Sequence, residues 1–367
     1  MTTPTTKPRM HHMDMLKGIA IFLVIMGHIL TLCIRDIDAA TIFKIIGVVH
    51  MPIFFFISGW FGYKADKDGH IKRPDLYTRA MQLIVPMIVV STLWVLYYPT
   101  SGLQSPLHEG FDGLWTSEYK NGYWFTPTLF VIIAIYALIA PAILRLRSIA
   151  LQLLTTFVIF VIAYITLARY VPPKYLYISS ALLIIQYLPI YIFGAIARQH
   201  QQHFVRLTAD TRVITAALIL GTCLFGIAVW PWRFPEITEN IPYIVPIALV
   251  LFQVALVIVA TNIAIPWAQK AFDTDRSRPA PIARIWEYLG QKSLGIYLLH
   301  YFFLFPLTIL QPLMRDLALS IVPLTLVAAI GAAAVVATTL TVIYIIDRSP
   351  LLSWLLTGNF NAIRRRK

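Results

Sequence analysis

Apolar residues in this chain come in long unbroken runs, and polar residues gather between them. Ten such runs lie at about 15–34, 41–62, 80–98, 124–144, 149–169, 176–197, 213–230, 242–265, 286–310 and 320–346. Each is close to the ~20 residues that carry a helix across hydrocarbon. A barrel would instead need short segments of alternating polarity, and stretches such as Phe157–Ala163 do not alternate. The pattern predicts an all-α, polytopic membrane bundle of about ten transmembrane helices. It divides the chain into a tail at 1–13, a membrane domain at 14–347 and a basic tail at 348–367.

Composition removes the remaining classes. Of 367 residues, 58% are hydrophobic and only 13% charged, whereas a soluble domain runs near half apolar and about a quarter charged. The two cysteines, Cys33 and Cys223, lie in or beside apolar runs and read as small buried hydrophobes.

The net charge of +13 admits two explanations, nucleic acid or membrane topology. If the N-terminus is cytoplasmic, 23 of the 30 lysines and arginines fall in inward-facing segments and 7 in outward-facing ones. That asymmetry predicts both termini in the cytoplasm, in agreement with an even helix count. Topology therefore accounts for the basic charge, and no nucleic-acid partner is needed. The first run carries His28 and lacks a small-residue cleavage pattern, so it reads as a retained helix and not a signal peptide.

Soluble catalytic signatures are missing: there is no G-x-S-x-G, H-E-x-x-H, C-x-x-C or Walker loop. His200 and His203 sit among glutamines without a cysteine or carboxylate, which favours a solvated loop over a metal site. His11 and His12 read the same way, and no metal is expected.

Polar residues inside apolar runs are more informative, because each must be desolvated and paired. His28 lies eleven positions after Lys17, which returns it to nearly the same helix face about 16 Å deeper. A cation at the cytoplasmic rim suits an anionic ligand, and a buried neutral imidazole suits a proton acceptor. The plain alternatives are a positive-inside lysine and an interhelical hydrogen bond. His50, in the second run, falls at similar depth, and His300 is a third intramembrane imidazole. Ser58-Gly59 reads as close helix packing. Trp124 and Tyr123 open the fourth run, where an aromatic belt is the simple explanation. Carboxylates are nearly confined to loops and helix ends, with Glu287 nearest to the interior. Ion-coupled carriers usually place an acid within the bundle, so this counts against them.

Four stretches together resemble the acyltransferase 3 family of integral membrane acyltransferases. Asp14-Met-Leu-Lys17 through Gly27-His28 is similar to its signature of a basic residue, ten others and a histidine. His50-Met-Pro-Ile-Phe-Phe-Phe-Ile-Ser-Gly59 resembles its second helix, Trp124-Phe125 a later aromatic pair, and Ser293 through Tyr297-Leu-Leu-His300 its penultimate-helix motif. The fucose 4-O-acetylase-like subgroup looks closest.

The resemblance implies transfer of an acyl group, usually acetyl, from cytosolic acyl-CoA to a hydroxyl of a sugar or glycolipid beyond the membrane. Carried over, His28 is the catalytic base and Lys17 and Arg79 bind the donor, with His50, Trp124, Tyr297 and His300 supporting the site. Acyl-CoA is then a substrate and no cofactor is bound; the expected location is a bacterial inner membrane. One position departs from the pattern: Gln82 stands where the family often has an arginine. The competing class is a transporter or lipid-linked sugar flippase whose histidines line a path.

Overall fold

The computed structural model describes residues 9–34, 37–103, 108–233, 244–272, 280–307 and 321–364. Every one of the ten apolar runs contains a helix. In chain order these are α1 (His11–His28), α2 (Ile37–Gly62), α3 (Leu76–Tyr97), α4 (Phe125–Ile143), α5 (Ile149–Tyr170), α6 (Ala181–Gln199), α7 (Thr211–Arg233), α8 (Ile244–Ala271), α9 (Pro281–Leu299) and α10 (Ile321–Ile346). No extended strand forms among the described residues, as a lipid-facing backbone requires when it must pair its own polar groups.

Eight helices are by themselves long and apolar enough to cross a membrane. The other two are α7 and α9. Helix α7 reaches that standard only together with the short helix Gln201–Ala209, from which it bends by 78°. Helix α9 carries Arg284, Glu287 and Lys292. Ten crossings is thus a reading of the sequence, and eight is what length and hydropathy carry among the described residues.

Several boundaries differ from the expected ones. The run at 176–197 is broken: Pro173–Ser179 forms its own short helix, and Ser180 turns left-handed at φ +52° before α6 begins. Its hydroxyl donates to the Glu118 carbonyl at 2.7 Å, which holds the break in place. The run at 286–310 stops being α-helical at Leu299 and continues as a 3-10 turn, His300–Phe303; residues 308–310 lie outside the described residues. His11 and His12 are not in a solvated tail but in the first turn of α1, with His11 Nδ1 2.9 Å from Glu287 Oε1 and its ring stacked on Phe272. Cys33 is buried as expected, but Cys223 is exposed on the outer face of the bundle. Lipid-facing and protein-facing positions are equally apolar, so hydropathy alone could not separate the two cysteines.

Glycine sets how closely the central helices meet. A Cβ on Gly18 or Gly290 would collide with the backbone of Trp286 or Asp14, so α1 and α9 touch main chain to main chain. Gly59 and Gly194 do the same for α2 and α6, as expected for Ser58-Gly59. Trp60, Trp94, Tyr123 and Tyr136 fill the interior, while Leu138, Ile219 and Ile330 are 63–73% exposed. A greasy exterior around an aromatic core is the arrangement of a protein solvated by lipid.

Both described ends of the chain lie at one end of the bundle. Arg198, at the end of α6, donates to Met10 Sδ at 3.7 Å. After α10, a helix Pro350–Thr357 (α11) docks on the start of α3, where Trp354 Nε1 donates to the Met81 carbonyl at 2.8 Å. Lys292 on α9 pairs with Asp347 at 2.6 Å at the same end.

Candidate active site

Helix α1 spans from rim to depth and carries Lys17 and His28 on one rod. His28 is its last α-helical residue; Ile29–Ile34 continue as a π-helix. Such widened turns recur at functional sites because they re-aim the side chains around them. Here the switch coincides with the imidazole that meets α9.

The His28 and His300 rings stack with centroids 5.2 Å apart, and Tyr301 Oη lies 3.1 Å from His28 Nε2. His300 is fully buried, and its Nδ1 faces only carbonyls, those of Tyr297 at 2.7 Å and Ile296 at 3.2 Å. Nδ1 must therefore carry the proton, which leaves Nε2 as a lone-pair acceptor. That buried Nε2 has no hydrogen-bond partner among the described residues. An unsatisfied buried atom calls for an explanation, and this one belongs to the ring stacked on His28.

A backbone turn from the other side completes the cluster. The Gly122 carbonyl accepts from Tyr297 Oη at 3.2 Å and from Tyr301 Oη at 3.4 Å. Tyr297 Oη accepts in turn from the Phe125 amide at 3.2 Å, and Tyr123 Oη donates to the Leu298 carbonyl at 3.1 Å. Gly122 has φ +97°, and a Cβ there would run into Tyr301 Oη. Lys120 and Asn121, just before it, also have positive φ, which costs a non-glycine residue roughly 1–2 kcal/mol each.

The turn is held in that shape by its own polar contacts. Asn121 is buried, donates to the Gly110 carbonyl at 2.6 Å and accepts from the Glu109 amide at 2.9 Å. Lys120 Nζ donates to the carbonyls of Ile178 at 2.7 Å and Trp115 at 3.0 Å. Burial in this loop lowers the Lys120 pKa and raises that of Glu118.

Of the expected residues, the structure brings together His28, His300 and Tyr297. Two stand apart. His50 is buried in α2 and its Nδ1 donates to its own helix at the Ile46 carbonyl, 2.6 Å away, with no bond to His28 or His300. Trp124 stacks on Tyr187 at 5.8 Å, and it is the amide of the next residue that reaches Tyr297. Tyr301 is the addition. The sequence offers its adjacency to His300 as a signal, but tyrosine near the end of a membrane helix is ordinary.

At the rim end, Lys17, Arg79 and Gln82 line one cavity of about 500 Å³. Its aliphatic walls include Ile21, Leu83 and Ile133, and Val24 and Tyr297 lie along it. Val24 is one helical turn before His28 on α1. Lys17 Nζ pairs with Asp14 Oδ1 at 2.7 Å, and Arg79 Nη1 donates to Gln82 Oε1 at 3.2 Å. Two cations therefore stand at the rim end of a cavity whose last lining residues on α1 and α9, Val24 and Tyr297, precede His28 and His300 by about one turn. No group of three or more metal-ligating side chains occurs among the described residues.

Comparison with known proteins agrees with this arrangement. Residues 10–346 match the acyltransferase domain family known as acyltransferase 3. The nodulation protein NolL of Sinorhizobium fredii is 34% identical over 126 residues, covering 30% of this chain and 31% of its own length. The NolL of Mesorhizobium japonicum is 36% identical over 129 residues, 32% of each chain. This chain thus spans about a third of the length of the relatives it matches. No solved structure matches it. The family match covers nearly the whole described chain, and the protein belongs to the acyltransferase 3 family of multi-pass membrane acyltransferases.

Proposed function

We propose that the protein transfers an acyl group, acetyl foremost, from cytosolic acyl-CoA to a hydroxyl of a cell-envelope sugar or glycolipid, across a bacterial inner membrane. The observation that carries this reading is the single line from cations to imidazole. The Lys17 and Arg79 cavity enters at one end of α1, and His28 waits one turn beyond Val24.

In that reading the donor's anionic groups stay at the rim, where charge-assisted contacts are strong. The cavity beyond them carries the thioester inward. The acceptor oxygen attacks the thioester carbon while His28 takes the hydroxyl proton; the C–O bond forms, the C–S bond breaks, and the proton passes on to the departing thiolate. Tyr301 acts as a positioning residue, since its Oη holds His28 Nε2 and so decides which ring nitrogen is left to act.

The test uses purified protein in lipid nanodiscs with acetyl-CoA and a glycolipid acceptor. The expected result is release of CoA with acetyl on the acceptor, reduced about 10²–10⁴-fold in His28→Ala while the variant still inserts and folds. Transport of a sugar lipid with no CoA release would overturn the reading. So would turnover near wild type in a well-folded His28→Ala.

A further inference from the structure

Beside the central cavity lies a wider one of about 950 Å³, at the same end of the bundle. Phe61 lines both, and the Asp14–Lys17 ion pair stands on their boundary, Lys17 in the first and Asp14 in the second. The two differ in size more than in polarity. The central channel mixes aliphatic and aromatic side chains with Ser58, Gln291 and Ser293, and it is the smaller of the two. The wider one gathers Arg9, Lys64 and Arg198 around the rings of Phe61, Tyr63 and Phe272.

Charge at this second site is only partly neutralised. Arg9 is held by Asp14 at 3.2 Å and Glu287 at 3.5 Å, and His11 also meets Glu287. Arg198 has neutral partners: Gln201 Oε1, the Met10 thioether and the Trp60 ring, 5.6 Å from its guanidinium carbon. Among the described residues no carboxylate lies within ion-pair distance of Arg198 or of the exposed Lys64. An incoming phosphate would therefore break no ion pair to reach them. Phe61, 44% exposed, stands beside them, with Lys17 Nζ over its ring 5.9 Å from the centroid.

A CoA thioester is considerably larger than the drug-sized molecules that fill cavities of ~300–1,000 Å³, so the central channel cannot enclose all of it. We propose that the wider cavity binds the 3′-phosphorylated adenosine end of the donor, with Arg198 and Lys64 on the 3′-phosphate, while the diphosphate reaches back to Lys17 and Arg79 at the cavity boundary. The pantetheine arm then turns over Phe61 into the central channel and carries the thioester toward His28. This assignment rests on acyl-CoA being the donor. It divides the coenzyme between two adjoining cavities, with the purine and 3′-phosphate against the rings and cations of the wider one and the arm along the smaller one.

The experiment compares acetyl-CoA with S-acetylpantetheine, which lacks the nucleotide, and uses adenosine 3′,5′-bisphosphate as a competitor. In wild type the bisphosphate competes with acetyl-CoA, and the KM for S-acetylpantetheine is well above that for acetyl-CoA. Arg198→Gln and Lys64→Gln each weaken bisphosphate inhibition about tenfold or more and move the ratio of the two KM values toward one. Arg198→Lys restores part of the loss. Should Arg198→Gln fold poorly, Lys64→Gln carries the test alone, because Lys64 is exposed and forms no ion pair among the described residues.

Unchanged inhibition and an unchanged KM ratio in both variants overturn the assignment. So does loss of inhibition in Lys17→Gln and Arg79→Gln with retention in Arg198→Gln and Lys64→Gln, which moves the nucleotide into the central cavity. Failure of wild type to turn over either thioester is a different outcome: it removes the acyl-CoA reading itself, and this assignment with it.

Discussion

Replacing Tyr301 by phenylalanine isolates what one hydroxyl contributes to the site. The ring keeps its packing, with centroids 4.2 Å from His300, 5.2 Å from Tyr123 and 5.4 Å from Trp94. What goes is Oη, with its 3.1 Å contact to His28 Nε2 and its longer one to the Gly122 carbonyl. That carbonyl keeps Tyr297 as a donor at 3.2 Å, so no acceptor is orphaned there. The loss falls on His28, whose ring is no longer fixed. Leaving the part-buried His28 ring without its partner costs up to about 1–3 kcal/mol. Spent on positioning in the transition state, that lowers the rate roughly 5- to 150-fold. The fall belongs in kcat, because the donor's anionic end is held at the opposite end of α1. Steady-state CoA release from nanodiscs, with kcat and the KM for acetyl-CoA read separately, measures it. A kcat equal to wild type refutes the positioning role, and so does a fall confined to KM.

Three further outcomes follow from the geometry. Lys17→Gln and Arg79→Gln each raise the KM for acetyl-CoA about 10- to 100-fold and affect the acceptor's KM less, because charge-assisted bonds of this kind are worth about 1.5–3 kcal/mol; Arg79→Lys rescues only part, since a point charge cannot reproduce a planar fork, and Gln82→Arg tightens donor binding in the same cavity. A selective effect on the acceptor would move these residues out of the donor site. Gly290→Ala drives a methyl into the Asp14 backbone and disturbs the Lys17 pair, so it lowers thermal stability by roughly 1–3 kcal/mol; an unchanged melting temperature in detergent would mean α1 and α9 sit further apart than described. Reporters fused at Lys367 and inserted beside Asp112 report opposite sides of the membrane, with Lys367 cytoplasmic; a shared side removes the topology drawn from the basic residues.

The fold was legible because lipid leaves a crossing segment little choice: an apolar run that long must satisfy its own backbone, and helix is the way to do it. What the runs could not reveal was where a helix stops inside apolar sequence. Ser180 breaks one run through a left-handed residue bonded to a distant loop carbonyl, and His300 ends another by turning into a 3-10 segment. Neither event changes the local hydropathy. The site divides along the same line. His28 and His300 were legible because imidazoles are costly in hydrocarbon and demand a reason. Yet cost alone does not say where the partner is. His50 is more buried than His28, and its partner turns out to be a carbonyl one turn back on its own helix. Tyr301 presents the opposite case, since nothing about a tyrosine there is costly. Its meaning comes from a π-helical turn that aims His28 at it and from Gly122, 179 positions away in sequence, whose left-handed backbone leaves room for its hydroxyl. Polarity in the sequence therefore marks which side chains need a partner. Only the crossing of α1, α9 and the 108–123 turn decides which of them have found one another.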